Sequence, residues 1–225
     1  MSRRIYVRNT RPEDFQAITE ISRQIYDERL IWTADELQSH QEIFPEGQFV
    51  AVTRDTHEVV GTAMSLIVLW DDYDIEDDYI DFTADSTFRN HDPEGHTLYG
   101  AEVFVDQTRR GLGIGGALYE ARRNLCRELG LLRIRAGARL PGYDEVANRL
   151  SIEDYVREVI AGRLYDPTLS FQLRQGFNVI GIASGYLAPD EESRNYAAVI
   201  EWLNTQAASE NDIVAARERY MDSIS

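Results

Sequence analysis

The sequence contains no lysine, so all 23 of its basic residues are arginine. This excludes enzymes that need a Schiff-base lysine or the lysine of a P-loop. The single cysteine, Cys126, can form neither an intramolecular disulfide nor a thiolate metal cluster. The opening MSRRIYVRNT lacks the apolar core of a signal peptide, and the longest apolar run, AMSLIVLW, is too short to span a bilayer. We therefore expect a cytoplasmic protein with no membrane partner and no metal site.

Positive charge is scarce relative to negative charge. The 39 acidic residues leave a formal net charge of -16 at pH 7. A protein that neutralises phosphates needs a basic face, so we expect no nucleic-acid partner. At 225 residues and 43% hydrophobic composition, the chain can bury one substantial core. We predict one domain over residues 1–204, followed by a polar tail over 205–225 that forms a surface helix or a frayed end.

The hydrophobic periodicity predicts an α+β fold. Helical spacing after the first strand, a Thr33–Glu36 capping pattern and an apolar stripe after residue 113 predict the principal helices. A capped helix is also expected from Ser151, and a short helix before Gly176. Alternating apolar residues predict strands in RIYVRNT, GQFVAVTR, VVGTAMSLIVLW, LYGAEVFV, LLRIRAGARL, FNVIGIASGYL and YAAVIEW. The expected fold is a mixed sheet of about seven strands flanked by helices.

An acidic insertion separates the third and fourth predicted strands. Residues 71–85 hold eight acidic and no basic residues, interleaved with Tyr73, Tyr79 and Phe82. One interpretation is an electronegative border of an acceptor groove, which would favour a cationic amine. The other is a solvated acidic face that keeps the protein soluble.

The stretch RRGLGIGG precedes the central helix. Gly111, Gly113 and Gly116 match the dinucleotide pattern G-x-G-x-x-G. A dinucleotide loop follows its strand almost directly, whereas DQTRR intervenes here after Val105, and a P-loop would need a lysine. What remains is a helix start whose backbone N–H groups converge on an anion. The stretch predicts a phosphate-binding turn.

In its wider context, VFVDQTRRGLGIGGALYEARRNL resembles the pyrophosphate-binding segment of the GCN5-related N-acetyltransferase (GNAT) superfamily. Arg110, Gly113 and Gly115 fill that superfamily's pattern of Arg or Gln, two residues, Gly, any residue, then Gly or Ala. The predicted element order is also similar, over roughly residues 3–203. The segments FRNHDPEGHTLYGAEV, ARLPGY and DPTLSFQLRQGF resemble the acetyltransferase-type domain that is fused to carbon–nitrogen hydrolase domains in some bacteria.

The resemblance implies acetyl-CoA as the co-substrate. In such folds the strand before the loop splays from its neighbour and grips the pantetheine and the acetyl carbonyl, while helix-start N–H groups face the pyrophosphate. Arg122, Arg123 and Arg127 would either meet the 3′-phosphate or remain exposed charges. The cofactor-binding residues that we expect are Val103, Phe104, Val105, Arg110, Gly111, Leu112, Gly113, Ile114, Gly115, Gly116 and Ala117.

Acetyl transfer to an amine needs a base and an acid for the departing thiolate. Glu102 is the first candidate base by resemblance, although strand alternation could place it on the wrong face. His91 is an alternative, because imidazole titrates near neutrality. The superfamily commonly places a tyrosine acid where this sequence has Gln172, so either another group such as Tyr165 or Tyr143 is the acid, or the thiolate leaves without help.

The resemblance thus implies an acetyl-CoA-dependent N-acetyltransferase that acts on a primary amine by direct transfer in a ternary complex. The alternative is a catalytically weak acyl-CoA-binding module with a regulatory or interaction role. The resemblance also favours a homodimer, since members of the superfamily often associate through their late strands.

Overall fold

The computed structural model describes residues 4–26, 28–109 and 111–222, and its strands form one sheet. The strands are β1 (Ile5–Asn9), β2 (Phe49–Thr53), β3 (Val59–Val68), β4 (Thr97–Val105), β5 (Arg133–Arg139), β6 (Asn178–Ala183) and β7 (Ala197–Leu203). The helices are α1 (Phe15–Ser22), α2 (Ala34–Ile43), α3 (Tyr79–Thr83), α4 (Ile114–Glu128), α5 (Ile152–Ile160), α6 (Leu169–Arg174) and α7 (Glu210–Asp222).

The sheet is mixed, with the strand order β1-β2-β3-β4-β5-β7-β6. Every neighbouring pair is antiparallel except β4 and β5, which run parallel. The prediction of a seven-stranded α+β sheet flanked by helices is therefore confirmed.

Two apolar cores lie on opposite faces of this sheet. Helices α4, α5 and α6 pack on one face, around Leu118 and Leu125 of α4. Helices α1, α2 and α3 pack on the other, around Ile18, Leu37 and Phe82. Burial of these side chains supplies the main driving force for the layered arrangement.

Local capping explains where two of the helices begin. Thr33 accepts the backbone N–H of Glu36 at 3.3 Å, and the Glu36 carboxylate accepts the backbone N–H of Thr33 at 2.8 Å, which is the expected capping box at α2. Ser151 accepts the N–H of Asp154 at 3.1 Å and caps α5. Within the described ranges, none of the helices is long and apolar enough to cross a membrane.

A bulge interrupts β4 at Ala101. Met64 of β3 pairs with Glu102, but the next residue, Ser65, pairs with Gly100, so Ala101 is the extra residue. Tyr99 before the bulge and Phe104 after it both pack in the core on the α1 side. The bulge thus reverses the alternation of the strand, and it places Glu102 on the α1 side as well.

Arg122 of α4 holds this bulge from the other face. Its guanidinium donates to Ser65 Oγ at 2.9 Å, to the Met64 carbonyl at 2.9 Å and to the Glu102 carbonyl at 2.7 Å. The side chain is 1% exposed. A Cβ on Gly100 would lie 2.7 Å from Arg122 Nη1, so glycine makes room for it. The expectation that Arg122 is an exposed charge or a phosphate ligand was therefore wrong.

Helix α7 lies in the predicted tail and is attached to β7 by a buried carboxylate. Glu201 is fully buried and accepts hydrogen bonds from Arg135 of β5 and from Arg219 and Tyr220 of α7, all between 2.8 and 3.0 Å. These arginines hold the pKa of Glu201 below its usual value despite its burial.

Candidate functional site

A cleft opens between β4 and β5. The two strands pair only from Thr97 to Tyr99 with Arg133 to Arg135, and then separate. Beyond that point β4 keeps its pairing with β3 alone, so its backbone groups on the β5 side are open to a ligand. The splayed strand implied by the resemblance is present. The cleft leads from the sheet centre toward the start of α4.

A pocket with a cavity volume of about 100 Å³ lies at this cleft on the α1 side. Its walls come from the segment after α1, from β4 and β5, and from the loop that joins β6 to β7. The lining residues are Tyr26, Leu30, Ile31, Trp32, Glu36, Tyr79, Ser86, Ala101, Glu102, Gly137, Arg139, Tyr186 and Leu187.

Glu102 is the carboxylate at the point where the pocket meets the cleft. It accepts a hydrogen bond from the Tyr26 hydroxyl at 2.8 Å and from the backbone N–H of Val103 at 2.9 Å. Burial raises its pKa above the ordinary value, while these hydrogen bonds and Arg139 act in the opposite direction. A carboxylate with a raised pKa is a suitable proton acceptor near neutral pH.

Arg139 is a cationic side chain in the pocket lining, and its guanidinium is paired with carboxylates of the protein. It makes a bidentate ion pair with Asp190 and a second contact of 3.3 Å with Glu192. Asp190 is itself buried, and its pKa is held below the ordinary value by hydrogen bonds from Arg139 and Ser193, although burial opposes this. The two carboxylates of the lining, Glu102 and Glu36, form no ion pair within the described residues.

The floor of the pocket is a tyrosine that lies against β5. A Cβ on Gly137 would fall 2.1 Å from the Tyr186 ring, so glycine is required for this close approach. The Tyr186 hydroxyl is hydrogen-bonded to the Tyr99 hydroxyl at 2.5 Å. Both tyrosines are buried, and each hydroxyl has the other as its hydrogen-bond partner.

The acidic insertion contributes an aromatic side chain to this pocket. Of residues 71–85, all of them described, Tyr79 alone lines it. Phe82 is buried and stacks between Tyr73 and Tyr99, whereas acidic residues such as Asp71 and Asp74 are exposed. The interpretation as an electronegative groove lining was therefore wrong, because the aromatic residues of the segment point inward and its carboxylates do not line the pocket.

The loop after α3 has an unusual backbone. Ala84, Asp85, Ser86 and Phe88 all have positive φ angles between 48° and 62°, which non-glycine residues adopt at a cost. The His40 ring holds this loop in place: its Nε2 donates to the Ser86 carbonyl at 2.7 Å, and it stacks on Phe88 with ring centroids 3.6 Å apart. His40 thereby supports the pocket wall formed by Ser86.

We expect His40 to make stability depend on pH. Burial lowers its pKa from 6.5 to about 4. Between pH 6.5 and about pH 4, the imidazole is protonated in the unfolded chain and neutral in the folded protein. The free energy of unfolding therefore falls as the pH falls through this window. The wild-type protein should lose about 2 kcal/mol more between pH 7 and pH 5 than His40→Gln, measured by urea unfolding. An identical pH slope in the two proteins would contradict this role.

The glycine segment forms the N-terminus of α4. Gly111 and Gly113 have φ angles of +82° and +75°, and a Cβ at either position would meet no atom within 4 Å. Glycine is thus needed there for the backbone conformation and not for space. The first N–H groups of a helix have no partner within the helix, so those of Ile114, Gly115 and Gly116 are available to an anion. Arg110 lies outside the described residues.

Comparison with known proteins identifies the family to which this architecture belongs. The model of the acetyltransferase (GNAT) family matches residues 15–150, which include β4, the cleft and the glycine segment. The chain belongs to the GNAT acetyltransferase family. It is accordingly an enzyme of the acyltransferase class.

Curated relatives of this GNAT protein occur in Bacillus subtilis (strain 168). One is described as the probable hydrolase YhcX, which is 38% identical over 202 residues; the match covers 90% of this chain and 39% of YhcX. The other is described as the uncharacterized N-acetyltransferase YkwB, which is 33% identical over 202 residues and matches over 88% of both chains. The chain thus spans about two fifths of YhcX and most of YkwB.

A solved structure with the same GNAT fold is the GphF GNAT-like decarboxylase in complex with isobutyryl-CoA. The two folds align with a TM-score of 0.74 over 88% of this chain and 98% of that one. Their sequence identity is 22%, so the likeness concerns the fold.

The catalytic candidates chosen from sequence lie in different places. Glu102 lies in the pocket. His91 is not among the lining residues: its Nδ1 accepts the N–H of Ile67 at 3.0 Å, and its ring stacks on Phe44, which belongs to the core on the α4 side. Tyr165 is 66% exposed and packs near Arg174, also away from the pocket. The structure therefore brings only Glu102 of the three to the cleft within the described residues.

Gln172 is buried between α6 and α4. It donates to the Tyr119 hydroxyl at 2.9 Å, and burial raises the pKa of Tyr119. Tyr143, the other tyrosine considered as an acid, is buried and donates to the Leu150 carbonyl at 3.3 Å. None of these three side chains lines the pocket.

The strand residues expected to bind the cofactor border the cleft. Val103 and Val105 pack toward the α4 side, while Phe104 packs against Tyr26 on the α1 side. The sequence reasoning missed Tyr26 as a partner of Glu102, because the two residues are far apart in the chain and no local pattern links them.

Proposed function

We propose that this protein transfers the acetyl group of acetyl-CoA to a primary amine within a ternary complex. The observation that carries the proposal is the position of Glu102. Its carboxylate lies in the pocket at the mouth of the β4–β5 cleft, where an amine would meet a thioester held along β4. The glycine segment at the start of α4 supplies N–H groups for the pyrophosphate.

Each residue of the site has a definite task in such a transfer. Glu102 takes a proton from the ammonium, and the Tyr26 hydroxyl holds the carboxylate in place. The neutral amine then forms the C–N bond as the C–S bond breaks. The open backbone groups of β4 polarise the thioester carbonyl. The attacking nitrogen then gives up its second proton, and the departing thiolate takes up a proton to leave as CoA.

Direct transfer is favoured over an acyl-enzyme because the cysteine is unsuitable as a nucleophile. Cys126 is fully buried in the core, and burial raises the pKa of its thiol to about 12. A thiolate that does not form cannot attack a thioester.

The electrostatics also favour an amine over an acyl group that carries a carboxylate. GphF is described as a decarboxylase, and a decarboxylase must admit a carboxylate. In this pocket Glu102 would repel such a group, and Arg139 is already paired with Asp190. We therefore propose amine acylation.

The proposal is tested by thiol release from acetyl-CoA across a panel of primary amines. We expect acetyl-CoA to raise the unfolding temperature of the protein, and at least one amine to accelerate thiol release with stoichiometric formation of its N-acetyl product. If acetyl-CoA binds and no amine accelerates release, the chain is instead an acyl-CoA-binding module. CO₂ release from malonyl-CoA with formation of acetyl-CoA, measured in parallel, would identify a decarboxylase.

A further inference from the structure

The hydroxyl of Tyr79 is a buried polar group with no protein partner. Its oxygen is inaccessible to solvent and makes no hydrogen bond within the described residues. The side chain lines the pocket that contains Glu102. Burying a hydroxyl without a hydrogen bond is costly, so an orphaned hydroxyl at a pocket wall points to a ligand group that completes it.

The Tyr79 ring packs edge-on against the Tyr186 ring, with centroids 6.1 Å apart. The backbone N–H of Tyr79 donates to the Tyr186 carbonyl at 2.8 Å, and the Tyr79 carbonyl accepts from the Thr83 hydroxyl at 2.6 Å. Asp78 caps α3 at this point by accepting the N–H of Asp81 at 2.9 Å. Tyr79 is thus fixed at the pocket wall by the fold of the insertion.

The other tyrosines of the pocket are already committed. The Tyr26 hydroxyl donates to Glu102, and the Tyr186 hydroxyl pairs with Tyr99. Tyr79 is therefore the lining tyrosine whose hydroxyl remains for a ligand, among the residues that the structure describes.

The chemistry around Tyr79 selects the ligand group. Burial raises the pKa of the Tyr79 hydroxyl well above the ordinary value, and the negative potential of Glu102 and Glu36 adds to this shift. The hydroxyl therefore stays neutral and is a poor acid for a thiolate, since thiols are ordinarily far more acidic. A ligand that satisfies both a carboxylate and a neutral oxygen must bring several N–H donors and positive charge.

We propose that the Tyr79 oxygen and the Glu102 carboxylate together bind the ammonium group of a primary alkylamine, each accepting one N–H. The rings of Tyr26, Trp32 and Tyr186 add cation–π attraction. The proposal rests on the proposed function and names its acceptor class: an alkylamine with no carboxylate beside the nitrogen. A primary ammonium carries three N–H donors, whereas a trimethylammonium carries none and would gain from the rings alone.

The test uses two simple probes on the full chain saturated with CoA. Binding of n-butylammonium and of n-butyltrimethylammonium is titrated by ligand-observed NMR against wild-type protein, Tyr79→Phe and Tyr73→Phe. Tyr73 is a matched control on the same insertion: its hydroxyl accepts from Asn90 at 2.8 Å, outside the pocket, and Asn90 retains two carbonyl partners without it.

We expect Tyr79→Phe to weaken n-butylammonium binding about tenfold and to leave n-butyltrimethylammonium binding unchanged. Tyr73→Phe should match the wild type with both probes. The proposal is overturned if Tyr79→Phe binds n-butylammonium as the wild type does, if it loses both probes equally, or if the wild type binds no n-butylammonium. Tyr79-dependent binding without thiol release would leave the ammonium site standing and remove only the transfer reaction.

Discussion

Glu102→Gln lowers kcat for acetyl transfer by roughly 10²- to 10⁴-fold, the range that a general base supplies. The glutamine oxygen can still accept the Val103 N–H, and its amide N–H can donate to the Tyr26 hydroxyl oxygen, so the pocket keeps its shape while the proton acceptor is lost. The wild-type rate should fall on the acidic side with a midpoint above the ordinary glutamate pKa, because burial raises the pKa of Glu102. Steady-state kinetics across pH check both statements.

The matched control for this substitution is Glu36→Gln in the same pocket. The Glu36 carboxylate is committed to the α2 cap through Thr33, and a glutamine oxygen can replace it there. We expect its kcat to remain within about threefold of the wild type, and its acid limb to persist. A Glu102→Gln enzyme that retained the wild-type rate and pH profile would exclude Glu102 as the base.

Arg122→Met is expected to destabilise the fold by about 3 kcal/mol, since it leaves two buried carbonyls and the Ser65 hydroxyl without their donor. For a domain of this size that loss corresponds to a fall of about 10 °C in unfolding temperature. The β4 bulge loses its anchor as well, so kcat should fall even at temperatures where the variant is folded. Thermal unfolding and steady-state kinetics measure the two effects.

Arg163→Met is the matched control, because it removes an arginine from the surface by the same substitution. Arg163 is exposed and pairs with Glu158 at the surface, where ion pairs contribute little. Its unfolding temperature and kcat should equal those of the wild type. If Arg122→Met unfolded at the wild-type temperature, the buried guanidinium would have no structural role at the bulge.

Much of the fold could be predicted because its signals are local. Periodic apolar residues define the strands and the principal helices, and the Thr33–Glu36 box defines the start of α2. The glycine segment could also be interpreted from sequence, since Gly111 and Gly113 adopt the positive φ angles for which glycine is suited.

The orientation of the site could not be predicted in the same way. Strict alternation along β4 would have placed Glu102 and Tyr99 on opposite faces, and a single extra residue at Ala101 brings them to the same face. Bulges leave no clear local pattern. Arg122 did carry a signal, because it lies four residues after Leu118 and three before Leu125, within the apolar stripe of α4.

The insertion illustrates how composition can mislead. Its acidic composition suggested that carboxylates line the pocket. Tyr79 lines the pocket instead, and Phe82 packs in the core. No glycine occurs among the residues with positive φ angles after α3, which are Ala84, Asp85, Ser86 and Phe88, so residue type did not indicate this conformation. It is held by the distant His40, a contact that exists only after folding.

The narrow union of β4 and β5 has a mechanical consequence. The backbones of these strands pair at three positions, from Thr97–Arg133 to Tyr99–Arg135. The two halves of the sheet are therefore connected over a short length. An acyl-CoA lying along the open edge of β4 would contact both halves of the sheet and limit their relative movement. Occupancy of the cleft would then stiffen the same elements that carry Glu102 and Gly137, so that loading of the thioester also aligns the walls of the acceptor pocket.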